Sequence, residues 1–248
     1  MLVFIALILV PLHKKPLVKK IIKQPIRTAQ VARIVIVIDD WGYSLNNLPI
    51  AKQIKQPLTC AILPNLKNTS LVMQNLNRLG FEIILHLPME PKEKYNLEKD
   101  TISVGLSAAA VEKIFTKDLI SVSLAKGVSN HMGSRVSEDM RSSALVIAEV
   151  KRRKLYFFDS FVTDQSVFPV LARQAKIRFA QRDVFLDNQN DSVYIKGQLL
   201  KLKKLAHKQG YAIGIGHDRK NTLNVLKEML PQMEKDGYQF VFLSQVAR

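Results

Sequence analysis

The sequence predicts an α/β fold: a single barrel-like domain of seven or eight β/α units with mainly parallel strands. Three observations carry this. Five consecutive β-branched residues, Ile34-Val35-Ile36-Val37-Ile38, read as a strand buried on both faces, the pattern of a parallel strand covered by helices. Short apolar runs then alternate with helical patterns along the rest of the chain, as β/α units do. No composition break divides residues 31–248. The number of units favours a closed or nearly closed barrel over the alternative, an open doubly wound sheet.

The chain begins with an apolar segment, residues 1–12, too short for a membrane-spanning helix, which needs about 20 apolar residues. Its length suits a signal-peptide core or an anchor remnant, although no Lys or Arg precedes it and no A-x-A site follows. A basic linker over residues 13–32 comes next, and the barrel is expected over 33–248. Lys14, Lys15, Lys19, Lys20, Lys23, Arg27 and Arg33, with no acid among them, supply seven of the net +16 charges. Such a segment fits a solvated linker or an anionic membrane surface. No aromatic residue is interleaved for stacking on bases, so no nucleic-acid partner is expected. The single Cys60 excludes an intramolecular disulfide and a Cys-based zinc site, and reads as a small buried hydrophobe.

The candidate strands, in order, are Ile34–Ile38, Leu58–Leu63, Glu82–His86, Val128–His131, Leu155–Asp159, Ile177–Ala180, Tyr211–Ile215 and Gln239–Leu243. Helical patterns cover Asn68–Leu79, Ala108–Leu119, Ser142–Arg153, Val193–Lys208 and Thr222–Lys235. Ser107 is placed to cap the second, and Gly80, Gly210 and Gly237 punctuate helix ends. The longest insert, Pro88 to Ser107, follows the third strand and overhangs the face where barrel active sites form.

That face collects a biased set of residues. The first strand ends in Asp39-Asp40, followed by Trp41-Gly42. The third ends at His86 with Glu90 beyond, and the fourth at Asn130-His131 with Ser134 beyond. The fifth ends at Asp159; Asp187 follows the sixth, and His217 ends the seventh. Two adjacent acids repel unless a cation or a shared proton relieves them. Each residue alone has a bland reading: Asp159 and Asp187 as helix caps, Asn130 and Ser134 as turn supports, Glu90 as a solvated loop acid. Trp41 reads equally as a sugar platform or a core residue. Capping, however, does not require three of five histidines at the same end of three strands. One carboxylate with two imidazoles suits a hydrolytic metal site with positions left open for water and substrate. One acid of the Asp39-Asp40 pair with His86 and His131 makes the expected ligand set, the other acid the general base, and His217 the general acid.

Six ordered stretches resemble the divergent polysaccharide deacetylases, relatives of carbohydrate esterases. They are Val37-Ile-Asp-Asp40 with Gly42, His86-Leu-Pro-Met-Glu-Pro91, Asn130-His-Met-Gly-Ser134, Phe157-Phe-Asp-Ser160, Arg182-Asp-Val-Phe-Leu-Asp187 and Gly214-Ile-Gly-His217. The resemblance implies a distorted (β/α) barrel, a divalent metal with zinc expected, and an exported envelope protein in or facing the periplasm. It further implies deacetylation of an N-acetylated amino-sugar polymer or peptidoglycan-type glycan. It places metal binding on Asp40, His86 and His131, with Asp39 as base. The sequence departs from ordinary polysaccharide deacetylases in lacking their H-x-x-x-H pair, so the second histidine ligand must come from another strand.

Rival readings explain less. A phospho-receiver domain needs an acceptor Asp where His86 stands, and is about half this length. A two-carboxylate glycosidase built from Asp39, Glu90 or Asp159 leaves the histidines without a shared role. The rival from another class is a non-catalytic envelope protein that keeps the barrel to bind glycan or a partner.

Overall fold

A computed structural model describes residues 31–248. The apolar segment, and all but the last two residues of the basic linker, lie outside the described residues. The elements in order are β1 (Arg33–Trp41), α1 (Leu48–Ala51), β2 (Thr59–Ile62), α2 (Thr69–Arg78), β3 (Glu82–Met89) and α3 (Ala108–Ser121). They continue with β4 (Gly127–Met132), α4 (Ser134–Glu138), α5 (Met140–Arg152), β5 (Tyr156–Asp159), α6 (Phe168–Ala175), β6 (Phe179–Gln181) and β7 (Val184–Phe185). The last are α7 (Ser192–Gln209), β8 (Tyr211–His217), α8 (Lys220–Lys235), β9 (Gln239–Phe240) and a 3-10 turn, Leu243–Gln245.

The strands hydrogen-bond in the order β6-β5-β4-β3-β2-β1-β8-β7, and every described pairing is parallel. This curled eight-stranded sheet is the expected distorted barrel. Its two outermost strands, β6 and β7, do not pair with each other, so the barrel is incompletely closed there. The expected sixth strand is later and shorter, and β7 is an additional strand that two residues are too few to announce. The expected last strand is corrected as well. Only Gln239–Phe240 pairs, beside β1, and the chain then turns into the 3-10 segment.

Side-chain parity separates two cores. On β1, Ile34, Ile36 and Ile38 join the large cluster beneath the helices, while Val35 and Val37 belong to a smaller one inside the sheet's curl. Ile84, Phe158, Ile213 and Ile215 share that inner cluster, as period-2 alternation requires. The C-terminal segment fills its base with Leu243, Val246 and Ala247. There buried Glu82 accepts hydrogen bonds from Tyr156 Oη (2.9 Å), Thr59 Oγ1 (3.0 Å) and the Ser244 amide (3.1 Å). The inner core thus closes one end of the curl and leaves the carboxyl ends of the strands for chemistry.

Helix ends follow local chemistry. Ser107 caps α3, accepting from the Ala110 amide at 3.2 Å, as expected from sequence. Asp139 and Asp191 cap α5 and α7 in the same way, accepting from Ser142 and Tyr194.

Candidate metal centre

The inward parity of four strands builds the site. Asp39 continues the Val35-Val37 series, His86 follows Ile84, His131 follows Ser129, and His217 follows Ile213-Ile215. Each therefore points inside the curl at its open end. In register, Asp39 lies opposite His217, and His86 opposite Ser129.

Asp40 has the wrong parity and reaches the site by another route. Its φ is +58°, left-handed for a non-glycine residue, and the β1–β2 register breaks between Ile38 and Trp41. A bulge of this kind re-aims a side chain at a strand end. It brings Asp40 Oδ1 to 3.1 Å from His131 Nδ1 and 3.4 Å from His86 Nε2.

The same bulge sends Trp41 outward into the core beneath the helices, where it is fully buried. Trp41 therefore offers no ring to a sugar, and the platform reading is corrected. Four more of the sequence candidates serve as braces. Asn130 accepts from the Ser160 amide (2.8 Å) and donates to the Met132 carbonyl (3.2 Å). Asp159 is buried, accepting from the Phe161 amide (2.8 Å) and Ser166 Oγ (2.7 Å). Glu90 accepts from the Val104 amide and Arg135 (2.8 and 2.9 Å). Ser134 starts α4 and accepts from the Lys92 amide. Of these four, Asn130 also lines the cavity at the site. Asp187 instead grips His217: Oδ1 lies 2.9 Å from Nδ1, while Oδ2 accepts from the His217 amide (2.9 Å) and Thr222 Oγ1 (2.6 Å).

Electrostatics divide the two adjacent acids. Burial, with the Asp40 charge adding to it, pushes Asp39 up to about 8. Burial also acts on Asp40, but His131 and His86 outweigh it and hold Asp40 well below the usual carboxylate range. Burial pushes His86 down to about 4, against the pull of Asp40, which keeps it neutral. For His131, Asp40 and Glu98 overcome burial and raise it to about 10. His217 is raised too, because Asp187, then Asp39, outweigh its desolvation.

The residues fit a divalent cation. One carboxylate oxygen and two imidazole nitrogens, from Asp40, His86 and His131, lie mutually within 4.8 Å, and Asp39, Asp40 and His217 form a second such group. The His86 ring is oriented by Ser129 Oγ, 2.8 Å from Nδ1, leaving Nε2 for the site. Asp39 Oδ1 is buried without a partner. His86 and His131 come from adjacent strands, which supplies the histidine pair that the missing H-x-x-x-H spacing would otherwise give.

Around this group lies a cavity of about 240 Å3, with Met132, Val162 and Phe185 as its apolar wall. Sequence reasoning passed over these residues, together with Ser129, Tyr43 and Glu98. Ser129 was within reach, two residues before His131 on the same face of one strand. Glu98 was not, since it reaches the site through an irregular insert.

Fold and site together define an α/β barrel with a hydrolase-type Asp/His centre. The chain belongs to the divergent polysaccharide deacetylase family, whose model matches residues 36–247. It is 30% identical over 204 residues to the uncharacterized protein YibQ of Escherichia coli strain K12, covering 82% of this chain and 64% of that one. This chain thus spans about two thirds of the length of that relative. The crystal structure of an uncharacterized protein from Agrobacterium tumefaciens C58 superposes with a TM-score of 0.83 at 23% identity, covering 90% of this chain and 92% of the other. The Bc1960 peptidoglycan N-acetylglucosamine deacetylase shares the fold at a TM-score of 0.56 and 12% identity, covering 88% and 89%.

Proposed function

We propose that this protein is a metal-dependent hydrolase that deacetylates an N-acetylated amino-sugar polymer of the cell envelope, of the peptidoglycan type, with zinc as its cation. The observation that carries the reading is the division of labour at the strand ends. Two adjacent carboxylates, Asp39 buried and Asp40 set against two imidazoles, converge there with three histidines from three strands. The polymer is carried over from the family and from the named activity of the peptidoglycan deacetylase that shares the fold.

Asp40, His86 and His131 would hold the cation. When bound, it would acidify a water, polarise the acyl carbonyl and draw Asp39 down from its raised value. Asp39, facing into the curl beside Asp40, takes the proton of the attacking water. His217, fixed through Nδ1 by Asp187, presents Nε2 to the opposite side of Asp40 at 3.9 Å, and donates a proton to the departing amine. The apolar cavity wall of Met132, Val162 and Phe185 suits the methyl of an acetyl group.

We place the protein in the periplasm or anchored facing it, with residues 13–32 against an anionic membrane surface. Among the described residues no helix is long and apolar enough to cross a membrane. The binding-only alternative loses its Trp platform, because the sole Trp is buried. The test is metal content of the wild type, His86→Ala and His131→Ala, with acetate release from N-acetylated glycan fragments. Equal metal in all three proteins overturns the centre. Acetate release that Asp39→Ala leaves unchanged overturns the assignment of the base.

A further inference from the structure

We propose that Glu98 is the positioning carboxylate of His131, so that the insert carrying it is tied down when the metal centre is loaded. The inference rests on the reading of Asp40, His86 and His131 as cation ligands. His131 presents Nδ1 to Asp40 Oδ1 at 3.1 Å and Nε2 to Glu98 Oε1 at 3.4 Å, on the other side of the ring. A neutral imidazole has one lone-pair nitrogen. If Nδ1 gives its lone pair to a cation, Nε2 must carry the hydrogen. That nitrogen is buried and has no fully formed hydrogen bond, and the Glu98 carboxylate is the acceptor beside it. Metal-bound histidines commonly donate their second N–H to a carboxylate, which fixes tautomer and ring angle. Glu98 falls outside both groups of converging ligand atoms, so its role is to position.

Glu98 is delivered by a braced structure. Ile102 pairs with β3 through its amide to the Pro88 carbonyl (2.9 Å) and its carbonyl to the Glu90 amide (2.8 Å). Thr101 Oγ1 donates to the Glu98 carbonyl at 2.6 Å, and Asp100 pairs with Lys117 on α3. From across the mouth, Tyr43 donates its hydroxyl to Glu98 Oε1 at 2.5 Å. Residues 92–97, by contrast, are exposed throughout. One side chain thus links the outer part of the insert to a proposed metal ligand.

The experiment is zinc affinity by chelator competition for the wild type, Glu98→Ala, Glu98→Gln and Tyr43→Phe. Beside it runs limited tryptic cleavage at exposed Lys94 and Lys99, with and without zinc. Glu98→Ala should bind zinc about 10- to 100-fold more weakly. Glu98→Gln should recover part of the loss, because its amide oxygen still accepts from Nε2–H, and Tyr43→Phe should fall between. Zinc should slow cleavage at both lysines in the wild type and less so in Glu98→Ala. Metal-free melting temperatures of the four proteins verify that each folds. Wild-type affinity retained within twofold by Glu98→Ala, with cleavage indifferent to zinc, overturns the role of Glu98 and leaves the centre standing. Failure of the wild type to bind zinc overturns the centre and this proposal together.

Discussion

Asp118 gives a prediction independent of the chemistry. It lies fully buried on α3, with Oδ1 accepting from Asn65 Nδ2 at 2.6 Å and Oδ2 buried without a partner. Burial raises its carboxyl from 3.8 to about 7, against the Asn65 hydrogen bond. The folded state therefore keeps a proton that the unfolded chain releases near pH 4. Stability is full below that pH and is lost as pH rises through the folded value. Between pH 5 and 7 the slope is about 1.4 kcal/mol per unit, or about 2–3 kcal/mol in all, and it is flat above. Asp118→Asn keeps the oxygen that accepts from Asn65 and removes the titration. Urea unfolding of metal-free wild type and variant at pH 5 and pH 8 isolates the effect, since every other group titrates in both. The variant should gain about 2–3 kcal/mol over the wild type between the two pH values. A difference that stays within about 0.5 kcal/mol, or moves the other way, refutes the account of Asp118.

Further predictions concern the site. Ser129→Ala frees His86 Nδ1 and should weaken zinc binding about 10- to 100-fold by chelator competition. Asp187→Asn removes the leading group that raises His217. A general acid must be protonated, so the alkaline limb of kcat/KM for acetate release should move to lower pH; an unmoved limb shows that His217 is not the acid. Gly133, at φ +87°, would set an added Cβ 2.6 Å from Met89 Cβ. Gly133→Ala should therefore cost at least about 2 kcal/mol in denaturant unfolding.

Much of this site is written in strand parity. Once Ile34–Ile38 is read as a strand, the alternation that buries Val35 and Val37 carries Asp39 inward, and the same counting places His86, His131 and His217. Asp40 breaks the rule, because a left-handed residue at a bulge is a tertiary compromise that no period announces. For the same reason Trp41, adjacent to two functional acids, reads as a sugar platform and is a core residue. The short helices Leu48–Ala51 and Ser134–Glu138 and the two-residue β7 fall below the length at which periodicity speaks. Glu98 depends on how an insert with six exposed residues folds back over the mouth, which is set by contacts with Tyr43, β3 and α3 and not by local pattern.

The position of β1 between β2 and β8 orders events during synthesis. Its pairing with β8 runs from Arg33–Tyr211 to Asp39–His217, across most of the chain. A nascent polypeptide therefore holds its most apolar strand with one edge open until residues 211–217 have been made. Such an edge is a template for wrong partners, and closing it over so long a loop is intrinsically slow. The final register sets Asp39 against His217. The proposed proton acceptor and donor thus meet in the event that shields that edge, and no shorter intermediate carries the pair.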